Sequence, residues 1–186
     1  NPIKWDTLPL AEARAEGAMM LFGEKYPDPV RMVSIGEFSK ELCGGTHLNT
    51  TTEVGDFQII SEEGVAAGTR RIIALTGAKA AEYITEIENL FIQSAEKLSI
   101  SNGDLNGAIE ALRGNIRELK KHLSSGSTHA KVPTETTKSN VTTLTYVEQR
   151  TQIRVAARQL NVSSGDLLER IDALLTEQDK LVEQLE

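Results

Sequence analysis

Two stretches of this chain repeat each other. Leu98-Ser-Ile-Ser-Asn-Gly-Asp-Leu105 matches Leu160-Asn-Val-Ser-Ser-Gly-Asp-Leu167, and the register runs on at the same offset through Ile109 and Ile171, Ala111-Leu112 and Ala173-Leu174, Leu119 and Leu181, and Leu123 and Leu185. A segment used twice, with apolar residues three and four apart, is one helical unit present in two copies. In each copy a serine, Ser101 or Ser163, stands three residues before an acid, Asp104 or Asp166. That is the spacing of a capping box, which satisfies amide groups left open at a helix start. Each copy is therefore expected to hold a helix, a break at the Gly-Asp turn and a second helix.

The chain changes character near Thr76. From there on helix formers dominate, and Thr76 is placed to cap a helix running to about Leu98, with Ala80, Ile84, Ile87, Leu90, Phe91, Ala95 and Leu98 on one stripe. The last helix carries Leu167, Leu168, Ile171, Leu174, Leu175, Leu181, Val182 and Leu185, a seam of about three heptads that packs either on the helix before it or on a second chain. Between the copies, Ser124 to Thr143 is rich in Ser and Thr, contains Gly126 and Pro133, and reads as a linker.

Before Thr76 the elements are short. Leu10 to Phe22 follows Pro9 with Ala11, Ala15, Ala18 and Met19 at helical spacings. Val30 to Ile35, Phe57 to Ile60 and Thr69 to Leu75 are β-rich runs bounded by Gly or Pro. They are expected to form one small antiparallel sheet with a helix packed across a face, so that the fold class is α+β followed by an all-α helical tail. The expected division is 1–76 for the α+β part, 77–123 for a helical hairpin-like unit, 124–143 for the flexible linker and 144–186 for the second copy.

Composition narrows the function. Aromatic residues are 4% of the chain and apolar residues 39%, enough for a core of mainly aliphatic side chains. No run approaches the ~20 apolar residues of a membrane span, and no signal peptide opens the sequence. A cytoplasmic, reducing location fits a chain with one cysteine, Cys43. The net charge of −7 is spread evenly along the chain, so contact with nucleic acid has to come from small clusters such as Arg70-Arg71 or Lys120-Lys121. The opening residue, Asn1, is not methionine, and the expectation is a piece of a longer protein.

The segment richest in chemistry is Cys43-Gly44-Gly45-Thr46-His47. Thiolate and imidazole are preferred zinc ligands, and two intervening glycines let the backbone fold tightly enough for both to meet one ion. The same residues also describe a buried cysteine beside a Gly-Gly turn. The other histidines, His122 beside Lys120-Lys121 and His129 in the linker, are expected on the surface.

Three ordered motifs carry a resemblance: Ala18-Met-Met-Leu-Phe-Gly-Glu-Lys-Tyr26, Phe38-Ser-Lys-Glu-Leu-Cys-Gly-Gly-Thr-His47, and Ile60-Ser-Glu-Glu-Gly-Val-Ala-Ala-Gly-Thr-Arg-Arg-Ile72. Over Leu8 to Gly77 the chain resembles the editing domain of the alanyl-tRNA synthetases, of which 1–76 would be the C-terminal half, and the helical remainder resembles the start of their oligomerisation region. The resemblance implies an aminoacyl-tRNA ligase whose editing domain hydrolyses tRNA(Ala) carrying serine or glycine at a zinc (Zn2+) site. It assigns Cys43 and His47 as two of four zinc ligands, the others being an upstream His pair. ATP would act only at a ligase site outside this chain, and no phosphate-binding P-loop occurs here. The partners implied are the 3′ end of tRNA(Ala) and a second copy through the helical tail, with the two copies of the helical unit departing from the single one expected.

Hydrolysis of an ester needs stabilisation of a developing oxyanion. Gly44, Gly45 and Thr46 are the candidates, through backbone amides that no Cβ shields at the glycines; their other role is simply the turn. Arg70 and Arg71 open a strand, where successive side chains face opposite ways, so one is placed to meet tRNA while the other pairs with Glu62 or Glu63. Lys25 and Lys40 carry no distinguishing signal. A threonyl-tRNA synthetase-like or freestanding editing hydrolase, or an interaction module with no catalytic role, are the alternatives.

Overall fold

The computed structural model describes residues 1–20, 26–100, 103–125 and 144–185. The expected stretches Leu21–Lys25 and Ser101, and the linker from Gly126 to Thr143 with His129 and Pro133, lie outside the described residues. The chain divides into two compact units, Asn1–Glu82 and Tyr83–Glu186.

The first unit is built on three strands in the order β1-β2-β3, Ile3–Leu8, Val30–Ile35 and Ser39–Leu42, all antiparallel. Strand alternation sends Val30 and Met32 to one face, where they bury with Leu42 of β3 and with Ala13 and Ala18 at and just beyond α1, Leu10–Ala15. Helix α1 is shorter than the predicted Leu10 to Phe22. Gly17 takes a left-handed φ of +80°, and the amides of Gly17 and Ala18 turn back to Arg14 O and Ala13 O at 3.0 and 3.1 Å. This paired closure ends a helix, and glycine adopts it without a Cβ penalty.

The predicted single sheet is in fact two. Phe57–Ala66 (β4) and Thr69–Thr76 (β5) pair only with each other. The outer edges of the first sheet are partly taken by other backbone, β1 by Asn49 (Ile3 N to Asn49 O, 2.8 Å) and β3 by Met19 (Met19 N to Lys40 O, 2.8 Å, and Leu42 N to Met19 O, 3.2 Å), while the two-residue connection Ala67-Gly68, with Gly68 at φ +77°, closes β4 on β5 as a hairpin. Strands β1 and β3 lack the long β-branched runs that mark strands in a sequence, and neither was expected.

In the second unit Gly77–Lys97 (α2), Leu105–Ser125 (α3), Tyr146–Leu160 (α4) and Leu167–Glu183 (α5) are helical. Helix α2 itself begins within the first unit's span. Their shared core holds Phe91, Leu105, Ile109, Ile153, Leu160, Leu167, Ile171 and Leu174. Equivalent positions of the repeat are buried alike, Ile109 with Ile171 at 0% and Leu112 with Leu174 at 5% exposed. The seam of the last helix thus lies in the chain's own core at Leu167, Ile171 and Leu174.

The two copies are tied crosswise. Lys97 Nζ, at the end of α2, donates to Asp172 Oδ1 of α5 at 2.6 Å. Gln159, the residue in Lys97's place, donates from Nε2 to Glu110 Oε1 of α3, in Asp172's place, at 3.1 Å. Asn106 Nδ2 also bonds Gln152 Oε1, and Arg113 Nη1 donates to Gln159 O at 2.9 Å. These bonds tie the second helix of each copy to the first helix of the other, while the two second helices, α3 and α5, pack on each other.

The caps differ between copies. At α3 Asp104 Oδ1 accepts from Gly107 N at 2.9 Å. Before α5, Ser163 Oγ accepts from Asp166 N at 3.3 Å and donates to Asp166 Oδ2 at 2.6 Å, one turn ahead of the first helical residue. The full reciprocal box belongs to Thr145 and Glu148 at α4.

Candidate functional site

Strand β3 delivers the Cys-Gly-Gly-Thr-His segment. The strand ends at Leu42, which is buried in the core, and the chain then leaves the sheet with Cys43 half-buried and Gly44, Gly45, Thr46 and His47 exposed or nearly so. Cys43 N donates to Arg31 O at 3.2 Å, which carries the β2–β3 pairing one step into the turn.

Arg31 holds that turn from the other side. It lies between Val30 and Met32 on β2, so alternation puts it on the face opposite the core, with Trp5, Val33 and Glu41. From there Nη1 donates to two carbonyl oxygens, Cys43 O at 2.9 Å and Gly45 O at 2.5 Å. The guanidinium also stacks over the Trp5 ring, 4.9 Å from its centroid. A planar, permanently charged fork suits this triple role, which a lysine fills less well. Neither Arg31 nor Trp5 was singled out in the sequence. An arginine between two core residues reads as an ordinary strand alternation, and carbonyl partners leave no trace in residue types.

The two glycines are not demanded by the fold. Neither Gly44 nor Gly45 has a left-handed φ; a Cβ at Gly44 would meet nothing within 4 Å, and one at Gly45 would sit in ordinary contact, 3.6 Å from Cys43 Sγ. Their small size leaves the turn's backbone open to solvent.

Cys43 and His47 are two donors of the kind zinc prefers, but no group of three or more His, Cys, Asp or Glu side chains is placed to hold a metal among the described residues. Structural zinc takes four protein ligands and catalytic zinc commonly three. The residues present do not fit a resident zinc ion by themselves. His122, on α3 of the helical unit, is half-buried rather than on the surface, because it follows the buried Leu119 by three residues and falls beside the seam.

Arg70 and Arg71 part company on the hairpin. Arg70 Nε meets Glu62 Oε1 at 2.6 Å. Arg71 stands opposite Glu63 in the register, on the other face, and makes no ion pair among the described residues. The ribbon also exposes Phe57, Ile59, Ile72 and Ile73. Lys40 is paired with Glu16 at 2.7 Å, and this hydrogen bond raises its pKa. No described helix is long and apolar enough to cross a membrane.

Residues 30–73 match the threonyl and alanyl tRNA synthetase second additional domain. They hold strands β2 to β4, the pinned turn and Arg70-Arg71, so this part of the chain is of the class of domain that threonyl and alanyl tRNA synthetases share. Relatives narrow it further. The chain is 49% identical over 192 aligned positions to the alanine–tRNA ligase of Rhodopirellula baltica, covering 100% of this chain and 20% of that protein. It is 40% identical over 167 positions to that of Exiguobacterium sibiricum, covering 89% and 18%. With that of Listeria monocytogenes the identity is 46% over 120 positions, covering 64% and 14%. The chain belongs to the alanyl-tRNA synthetase family, and it spans a fifth or less of the length of these relatives.

Proposed function

We propose that this chain contributes to hydrolytic editing by an alanine–tRNA ligase, removing serine or glycine wrongly esterified to the 3′ end of tRNA(Ala). The need is energetic. A synthetic pocket discriminates a small group by only ~1–3 kcal/mol, so glycine, smaller than alanine, cannot be excluded on size, and a second, hydrolytic site has to clear the errors. In the reaction water adds to the ester carbonyl, charge gathers on its oxygen, and the ribose oxygen leaves with a proton to give tRNA and free amino acid.

One observation carries the reading: within the stretch that matches the synthetase domain, Arg31 pins an exposed, side-chain-poor turn between Cys43 and His47. Backbone donors at Gly44, Gly45 and Thr46 are available there to an ester. Arg71, without an ion-pair partner among the described residues, is the arginine suited to a phosphate of the RNA, while Arg70 is engaged by Glu62. Cys43 and His47 act as binding and orienting groups. ATP-dependent alanylation and a cytoplasmic place of work are proposed of the longer protein. The chain by itself is expected to be inactive.

The test is deacylation of Ser-tRNA(Ala) by a full-length synthetase carrying this segment, against its Cys43→Ala and His47→Ala variants. A loss of about 100-fold or more, the scale for a displaced stabilising group, with alanylation unchanged, is the expected result. Undiminished deacylation in both variants would remove the reading.

A further inference from the structure

We infer that the amides of Gly44 and Thr46 are the pair of donors that receives the aminoacyl ester, and that Arg31 is the positioning residue that aims them. The inference rests on the editing reading above and specifies its site.

In a planar trans peptide the C=O and N–H point in opposite directions. The carbonyl of Cys43 shares its peptide with the amide of Gly44, and the carbonyl of Gly45 shares its peptide with the amide of Thr46. Because Arg31 Nη1 draws both carbonyls to itself, at 2.9 and 2.5 Å, both amides turn to the opposite side of the loop. Among the described residues neither amide donates to any acceptor. Gly44 and Thr46 are both exposed, so the two amides face solvent together, on the side away from the guanidinium.

The positive charge of Arg31 also polarises both peptides, since a carbonyl engaged by a cation makes its own N–H a stronger donor. An ester offers two acceptor oxygens, the carbonyl oxygen and the ribose oxygen, each one bond from the reacting carbon, and two amides facing the same side supply two donors. Gly44 leaves the approach clear, as nothing lies within 4 Å of the position a Cβ would take. Trp5 completes the device by stacking on the guanidinium from the sheet side, where cation–π attraction restricts the arginine's swing.

The experiment is an amide NMR titration of the 186-residue chain with the stable ester analogue 3′-(serylamino)-3′-deoxyadenosine. Downfield shifts at the Gly44 and Thr46 amides are expected, lost in Arg31→Met and only partly restored in Arg31→Lys, whose ammonium keeps the charge but not the planar fork. Gly44→Ala, which meets no steric obstacle inside the protein, is expected to leave the remaining spectrum intact and to weaken binding at least tenfold. If the analogue perturbs other residues of the unit but spares these two amides, or shifts them equally in Arg31→Met, the inference is overturned while the editing reading stands. If it perturbs nothing, the inference is overturned, while the editing reading is decided by deacylation in the full-length synthetase.

Discussion

Ser99 and Asn161 hold the same left-handed backbone, φ +51° and +54°, at the same place in the two copies of the repeat. Each follows the last turn of a helix. Ser99 N donates to Glu96 O and Ile100 N to Ala95 O, both at 3.0 Å, and Asn161 N donates to Arg158 O and Val162 N to Ala157 O at 3.1 and 3.0 Å. The duplication is therefore one of geometry as well as of residue type: a helix, a left-handed stop and a second helix, made twice. Neither copy uses glycine at the stop, although the conformation favours it.

That choice has an energetic consequence which differs between the copies. Left-handed backbone costs an L-residue about 1–2 kcal/mol, while asparagine tolerates it by local hydrogen bonding. Ser99→Gly is expected to stabilise the helical unit by up to about 1 kcal/mol, and Asn161→Gly to change it by less than about 0.5 kcal/mol. Urea unfolding of the two variants decides; equal effects, or a loss at Ser99, would contradict the strain argument.

The crosswise ties predict the state of association. Lys97 with Asp172 and Gln159 with Glu110 join each copy to the other, and Leu167, Ile171 and Leu174 are buried within one chain. The apolar seam that a second chain would use is already filled. The 186-residue chain is expected to sediment as a monomer at micromolar concentration, whereas residues 144–186 alone, with that seam bare, should self-associate. A stable dimer of the whole chain would point to a different surface and refute this account.

The helical half was the more legible part of the sequence, and the reason is local. Ile109 and Ile171 mark their face through neighbours three and four residues away, so period and repeat reveal helix and core together. In the first unit the deciding contacts are distant. Trp5 meets Arg31 only because β1 pairs with β2, and Arg31 meets Cys43 and Gly45 only through carbonyl groups that every residue possesses. Cys43, Gly44, Gly45 and His47 stood out by type and spacing, but the residue that aims their turn did not. The single expected sheet failed for a related reason: hydrophobic runs identify strands, while pairing depends on which edges remain open.

At the start of α4 the carboxylate of Glu148 accepts from the amide and the hydroxyl of Thr145, at 2.7 and 2.8 Å. These bonds favour the charged form and lower its pKa, the backbone bond most. A carboxyl depressed on folding adds stability that is fully present above its unfolded value and is lost as pH falls through the folded one. Wild type should therefore lose more stability than Glu148→Gln between pH 6 and pH 3. Parallel acid profiles for the two, measured by thermal unfolding, would show that the box adds nothing.

The hairpin arginines give the sharpest test of contact with RNA. Arg70 is committed to Glu62 at 2.6 Å, a solvent-exposed pair worth little to stability, whereas Arg71 lies on the other face of the ribbon. A cation that neutralises one phosphate releases counterions, and its removal lowers the salt slope of binding by roughly one. For tRNA(Ala) binding by a full-length synthetase carrying this segment, Arg71→Ala should weaken affinity and flatten that slope. Arg70→Ala should leave the slope unchanged, because freeing Glu62 only adds a carboxylate to the opposite face. If both variants keep the wild-type slope, the hairpin makes no phosphate contact; if Arg70→Ala alone flattens it, the ion pair with Glu62 opens on binding and the assignment of the two arginines is reversed.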